Sequence, residues 1–238
     1  MGIISEETFE KLQNVSTATL TTALFKRGLR NTFLHGPKRI SQGRNMVGPA
    51  YTLRYIPSRE DVDTLQVFTD PSNPQRRAVE SCPAGSVFVV DSRGDARAAS
   101  LGGILATRLQ VRGCVGIVTD GGYRDTPDIA SLDIPAYHSR PSAPTNLTIH
   151  HAVAVNEPVA CGGVAIYPGD IMVGDNEGVV CIPFKLVKEV SEDASEMTLF
   201  EQFVEEKVTA GASTFGLYPA TDPTTLEIYA AWRKGRKT

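Results

Sequence analysis

Hydrophobic and polar positions alternate along this chain with two periods, and the change from one to the other marks most of its elements. Residues 86–91 (SVFVVD) and 115–119 (VGIVT) are short apolar runs rich in β-branched residues, the pattern of strands buried on both faces. Between them lies a helical stretch that opens at Gly102-Gly103, places Ile104, Leu105 and Leu109 on one side, and stops at Gly113. Strand, glycine-rich loop, helix and strand form a βαβ unit, and the loop 120–125 (DGGYRD) closes it.

The rest of the chain is read around that unit. Ser5 caps a first helix through about Lys11, and residues 17–27 form a second, with Leu20, Leu24 and Phe25 inward and Gly28 as its stop. Residues 50–56 alternate as a strand with Arg54 on one face, residues 76–80 form a helix, and 134–137 a short strand. Asp61, Asp63 and Asp70 are scattered over a segment expected to be a solvated surface. Residues 164–166 and 171–173 flank Tyr167-Pro168-Gly169-Asp170, which predicts a hairpin; 175–178 is a second turn before strand 179–182. A long amphipathic helix covers 186–210. The tail from Gly211, with Trp232, is expected to pack on a neighbouring surface, and residues 234–237 are a basic, solvated end. No repeat or linker interrupts the chain, so 1–238 is expected to be a single domain.

With 238 residues the chain can bury an ample core. Its formal charge of −3 argues against a general binder of nucleic-acid backbone. No apolar run reaches membrane-spanning length, and the first twelve residues lack the basic-then-apolar order of a secretory signal, so a cytoplasmic location is expected. Cys82, Cys114, Cys161 and Cys181 lack zinc-site spacing and are expected to be buried free thiols. His138, His150 and His151 form neither an HxH nor an HExxH pattern and are expected to be ordinary hydrogen-bonded or surface histidines.

Candidate chemistry gathers at the strand ends, where open α/β sheets bind small molecules. Arg124-Asp125 follows a strand with a fixed cation beside an acid. Asp125 suits a hard divalent metal and Arg124 a carboxylate or enolate oxygen; the alternative is a structural ion pair holding a turn. The open amides around Gly103 and Ile104 at the helix start suit an anion.

At these residues the chain resembles a known family. The match is Gly102-x-x-Leu105-Ala106-Thr107, then Arg112-Gly113, then Asp120-Gly121-x-x-Arg124-Asp125, with weaker support from Val15-Ser16-Thr17, Val47-Gly48-Pro49-Ala50 and Asp175-x-x-Gly178-Val179-Val180. It is similar to regulator of ribonuclease activity A proteins and to the related 4-hydroxy-4-methyl-2-oxoglutarate/4-carboxy-4-hydroxy-2-oxoadipate aldolases, over residues 12–210. The resemblance implies an α/β swivelling β/β/α fold with N-terminal helices and a long C-terminal helix, assembled as a homotrimer or hexamer with sites between subunits. It implies Mg²⁺ or Mn²⁺ on Asp125, with Glu201 contributed from a neighbouring subunit's last helix. It implies Arg124 at the keto-acid end of the substrate, and a pyruvyl carboxylate received at Gly102, Gly103, Ile104 and Leu105. The family's aldolases carry an acid at the position of Gly103. The function so implied is a metal-dependent lyase, an aldolase or decarboxylase, that releases pyruvate from a 2-keto acid. A non-catalytic regulator that binds and inhibits an endoribonuclease is the alternative.

Overall fold

The structure is a computed structural model and describes residues 4–236; residues 1–3 of the N-terminal reading and Lys237 of the basic end lie outside it. Two helices come first, α1 (Glu6–Gln13) and α2 (Thr17–Phe25), followed by strands β1 (Lys38–Arg39) and β2 (Met46–Pro57). Next are α3 (Pro74–Ser81), β3 (Val87–Asp91), β4 (Ala99–Leu101), α4 (Gly103–Val111), β5 (Gly116–Thr119) and β6 (Gly122–Tyr123). Then follow α5 (Thr126–Ala130), β7 (Ala136–His138), β8 (Arg140–Pro141), β9 (His150–Val155), β10 (Val159–Cys161), β11 (Val164–Ile166), β12 (Ile171–Gly174) and β13 (Val179–Ile182). Two helices end the described chain, α6 (Val187–Thr209) and α7 (Pro223–Gly235).

Side-chain caps set several helix starts. Ser5, Ser16 and Asn73 accept the amides of Thr8, Thr19 and Arg76, and Pro74 opens α3 where no amide is required. The first turn of α4 differs. Its cap residue is Gly102, which has no side chain to offer.

The main sheet runs β1-β7-β5-β3-β2-β12-β13, with β9 also on β2. β3 and β5 pair in parallel on either side of the α4 crossover, as the βαβ reading requires. Alternation along β3 divides the core. Phe88 and Val90 pack with Ala78 and Val79 of α3 and Ala106 and Leu109 of α4. Val87 and Val89 face the β10-β11 pair through Cys161, Val164 and Ile166. A third cluster joins α1, α2 and α6 to β12 and β13. The result is the mixed α/β fold expected, with the long helix near its C-terminal end.

Four expectations are corrected. Residues 164–166 and 171–173 are not partners in a hairpin. β11 pairs with β10, and β12 with β13 and β2. Between them, Gly169 and Asp170 exchange backbone hydrogen bonds with Ala50 of β2 (3.0 and 2.8 Å), and the Asp170 carboxylate accepts from Tyr167 and Phe184 amides, so the connection carries the chain between sheets. Phe25 is exposed, because α2 buries Leu20, Ala23 and Leu24 instead. Ile104 is also exposed, at 83%, because α4 turns Gly103, Ala106 and Leu109 inward. The Asp63 side chain is buried against the His151 ring, with Oδ1 2.7 Å from Nδ1, and is not part of a solvated surface. The tail carries α7, which packs on α6 of its own chain. Trp232 lies against Phe203 (5.6 Å between centroids) and donates to Glu206 (2.7 Å).

All four cysteines are free and buried. Among the described residues no helix is long and apolar enough to cross a membrane.

Candidate functional site

β4 and β6 run in parallel, Ala99 opposite Gly122 and Leu101 beside Tyr123. That pairing brings two distant motifs together. β4 leads directly into Gly102-Gly103 at the start of α4, and β6 leads directly into Arg124-Asp125. The Arg124 amide donates to the Leu101 carbonyl at 3.2 Å. Asp125 adopts a left-handed backbone (φ 56°) that turns the chain sharply into α5, and its Oδ2 accepts the Gly103 amide at 3.1 Å. The acid from one strand end therefore supplies the cap that Gly102 cannot. The Ile104 and Leu105 amides have no hydrogen-bond acceptor among the described residues, and the first intrahelical bond of α4 begins at Ala106.

Glycine is required at 102 by close approach. A Cβ there would lie 2.8 Å from Arg124 Cγ and 2.9 Å from Asp125 Oδ2. At Gly103 a Cβ would lie 3.3 Å from Asp125 Cβ and 3.6 Å from Asp128 Cβ. Arg124 Nε is 3.6 Å from Asp125 Oδ2, with the side chains 48% and 41% exposed. An ion pair that open to water contributes little to stability.

These groups face a cavity of about 240 Å³, sized for a small metabolite. Gly102, Ile104, Leu105, Arg124 and Asp125 line it; Gly103 lies just behind, through its bond to Asp125. Asp125 is the sole acid in the lining, beside two arginines, Arg124 and Arg76. A larger cleft of about 520 Å³ beside α2 also holds an acid, Glu177, and an arginine, Arg30, whose guanidinium lies over the Phe25 ring.

Arg76, Phe68 and Asn146 also line the cavity and were not singled out by the sequence. They come from segments far apart in the chain and share no motif. The one available signal was Asn73-Pro74, a cap followed by a helix-opening proline, which places residue 76 in the first turn of α3. The neighbouring Gln75 is buried and donates to Tyr55 Oη and the Ser100 carbonyl, both at 2.8 Å, which fixes that turn against β4.

A buried polar layer holds the strand ends. Asp120 accepts the amides of Ser92, Gly94 and Gly162 at 2.7, 2.9 and 3.1 Å, and burial pushes its carboxyl up against those three donors. Ser92, Ser100 and Thr119 join hydroxyls at 2.7–3.1 Å. His138 Nδ1 accepts the Tyr123 amide at 3.3 Å while its ring stacks on Tyr123, and burial lowers its pKa to about 4. Its free Nδ1 lone pair requires the neutral ring. His138 is thus held by the fold as a neutral acceptor, and no group of three or more His, Cys, Asp or Glu able to enclose a metal exists among the described residues.

The structure does not bring Glu201 to this cavity within one chain. Glu201 lies on α6 and accepts from Thr19 Oγ1 (3.1 Å) and Tyr218 Oη (3.3 Å).

Known proteins resemble this chain over much of its length. The RraA-like family model, described as Aldolase/RraA, matches residues 17–181. The chain belongs to that family. In an RraA-like solved structure, Streptomyces coelicolor RraAS2, described as an unusual member of the RNase ES inhibitor RraA family, 98% of the chain superposes on 86% of this one (TM-score 0.76, 30% identity). Protein DlpA of Legionella pneumophila is 28% identical over 86% of this chain, and a 4-hydroxy-4-methyl-2-oxoglutarate aldolase of Thermus thermophilus is 32% identical over 51% of it and 73% of its own length. The matched segments span 32% of Protein DlpA and 63% of a relative from Halalkalibacterium halodurans, less than two thirds of each.

Proposed function

We propose that this RraA-like chain is a divalent-metal-dependent lyase that cleaves a 2-keto acid and releases pyruvate. The observation that carries the reading is the convergence of the Asp125 carboxylate, the Arg124 guanidinium and the open Ile104 and Leu105 amides on one small cavity. The likeness to an aldolase over half the chain supports it.

The cavity residues suit Mg²⁺ or Mn²⁺. Asp125 Oδ1 carries no hydrogen bond among the described residues, and such hard cations bind one or two carboxylates while keeping several waters. When bound, the ion supplies Lewis acidity toward the keto oxygen. The protein does the rest. The Ile104 and Leu105 amides, at the positive end of α4, receive the carboxylate next to the keto group. Arg124 aims a planar pair of donors at the keto oxygen, where charge grows as the C3–C4 bond of a 4-hydroxy-2-keto acid breaks: the C4 hydroxyl gives its proton to water and becomes the carbonyl of the second product, and the C3–C4 electron pair becomes the enolate of pyruvate. Water returns a proton to C3. Oxaloacetate decarboxylation passes through the same enolate. The assay is therefore pyruvate release from oxaloacetate and from 4-hydroxy-2-keto acids with Mg²⁺ or Mn²⁺; no release from any of them would end the proposal.

A homotrimer or hexamer, with Glu201 reaching the site from a neighbouring copy, belongs to the same proposal and is tested by light scattering and by Glu201→Gln kinetics. The likeness to RraAS2, and the glycine at position 103, favour a second reading: a regulator that binds an endoribonuclease through its surface. Capture of an endoribonuclease that survives Asp125→Ala would support it, and failure to capture one would count against it.

A further inference from the structure

We propose that Cys82 and Cys114 are a redox-active dithiol, which hydrogen peroxide closes into a disulfide between the end of α3 and the segment that follows α4. The inference is independent of the activity proposed above.

The two thiols are far apart in the chain, and the fold brings them together. Cys82 is the last cap of α3, and Cys114 follows Gly113, the left-handed glycine (φ 84°) beyond α4. Their Sγ atoms lie 3.2 Å apart. A disulfide bond of about 2.05 Å asks for roughly 1 Å of further approach. The backbone around the pair is already tied. The Gly85 amide donates to the Gly113 carbonyl at 2.8 Å, and the Val115 amide to the Ser86 carbonyl at 3.0 Å. A Cβ at Gly113 would lie 3.1 Å from Ala84 Cβ, so the two segments meet closely. The amides of Cys82 and Cys114 are themselves held by the Ala78 and Leu109 carbonyls, each at 3.0 Å.

The two sulfurs are unequal. Cys82 is fully buried, whereas Cys114 keeps 6% exposure, an opening for a molecule as small as hydrogen peroxide. Arg112 stands beside them and donates to the Cys82 carbonyl from Nε and Nη2, both at 3.4 Å. The hydrogen bond from Cys82 lowers the pKa of the Cys114 thiol; burial opposes the shift, and the Arg112 charge assists it. The same contact and burial push the Cys82 thiol up. Cys114 is therefore the attacking thiolate, and Cys82 the thiol that resolves its oxidised form. Cys161 and Cys181 have no comparable partner. Their Sγ atoms lie 3.5 Å from the Val90 carbonyl and 3.8 Å from the Asp170 carboxylate, and burial pushes both thiols up.

The chemistry runs in two steps. The Cys114 thiolate attacks one peroxide oxygen: an S–O bond forms, the O–O bond breaks, and the leaving hydroxide takes up the thiol proton as water. Cys82 then gives up its proton and attacks the Cys114 sulfur. The S–S bond forms, the S–O bond breaks, and that hydroxide leaves with the proton as a second water. Two thiols are oxidised by two electrons and one peroxide is reduced to two waters.

The test treats the full chain with hydrogen peroxide, alkylates the remaining thiols after unfolding, and maps peptides without reduction. The wild type should yield a Cys82–Cys114 cross-linked peptide, with Cys161 and Cys181 alkylated. Its melting temperature should rise by about 5 °C or more and return on treatment with dithiothreitol. Cys82→Ser should stop at a Cys114 sulfenic acid that dimedone traps, and Cys114→Ser should leave Cys82 alkylated. Four alkylated thiols in the peroxide-treated wild type would overturn the inference, as would a Cys114 sulfinic acid beside a free Cys82, or cross-links to Cys161, Cys181 or a second chain. A Cys82–Cys114 bond that lowers the melting temperature would contradict the claim that the fold is set to receive it. If either serine variant fails to fold, the wild-type peptide map still decides.

Discussion

The Gly103 amide donates to Asp125 Oδ2 across 3.1 Å, so a carboxylate placed by one strand end caps the helix that follows another. This bond ties the candidate metal ligand to the candidate anion cradle. Any change to either residue should be felt at both.

Asp125→Ala removes a helix cap and a charged oxygen together. The cap should cost about 1 kcal/mol of stability, in the usual range for such a loss. Mn²⁺ affinity should fall below detection by calorimetry. Asp125→Asn, which keeps an acceptor oxygen for Gly103, should recover most of the melting temperature and little of the metal affinity. Equal Mn²⁺ binding by the wild type and Asp125→Ala would remove Asp125 from the site.

Gly102→Ala places a methyl group 2.8 Å from Arg124 Cγ and 2.9 Å from Asp125 Oδ2. The backbone at 102 is extended (φ −122°), which alanine tolerates, so the fold should survive. The displaced arginine should cost roughly 10²-fold in turnover, the scale of an ångström-sized misplacement. Gly103→Ala, with its nearest contact at 3.3 Å, should be milder. A Gly102→Ala variant as active as Gly103→Ala would show that the close approach does not matter to catalysis.

His138 gives the fold a dependence on acid. Burial lowers its pKa to about 4 from an unfolded value near 6.5, so between these values the unfolded chain binds more protons. Stability present above pH 6.5 is therefore lost as pH falls toward 4, by an amount on the order of 3 kcal/mol from this group. Protonation also removes the Nδ1 lone pair that accepts the Tyr123 amide, one residue before Arg124. His138→Asn, which offers an oxygen near the Nδ1 position, should flatten the fall in melting temperature between pH 7 and pH 4.5. An unchanged slope would assign the acid sensitivity elsewhere.

Trp232 is the anchor of α7. It touches Phe203 and Tyr229, bonds Glu206, and carries the Arg236 guanidinium 4.3 Å above its ring. Because the side chain is only half-buried, Trp232→Ala should cost about 2 kcal/mol, below the 3–5 typical of a fully buried aromatic. Amide exchange should rise selectively along α7. Uniform protection in the variant would mean that α7 is held by other contacts.

The central unit was legible because its signals are local. A glycine pair between a β-branched run and an amphipathic stretch needs no knowledge of the rest of the chain, and Arg124-Asp125 sits at a comparable strand end. The sequence could not show that β4 and β6 pair, yet that pairing alone turns two motifs into one cavity. The β11–β12 connection was misread for a related reason. Apolar alternation tells which face of a strand is buried but not which strand lies beside it, and Asp170 sends the chain to Ala50 instead. Ile104 was misassigned because its apolar side chain fits the helical pattern, while the structure places it on the cavity wall. Arg76 was invisible as chemistry. Nothing in residues 73–76 says that Phe68 lies beneath its guanidinium or that Arg124 faces the same space.

The most direct test of the account is pyruvate release, coupled to lactate dehydrogenase, from 4-hydroxy-4-methyl-2-oxoglutarate and oxaloacetate with Mg²⁺ or Mn²⁺, for the wild type, Arg124→Ala and Arg124→Lys. The wild type should release pyruvate. Arg124→Ala should bind Mn²⁺ normally, melt within a few degrees of the wild type, and lose about 10²–10³ in rate; Arg124→Lys should regain only part of it. Turnover in Arg124→Ala equal to that of the wild type, or a folded wild type that releases no pyruvate from either acid, would contradict it.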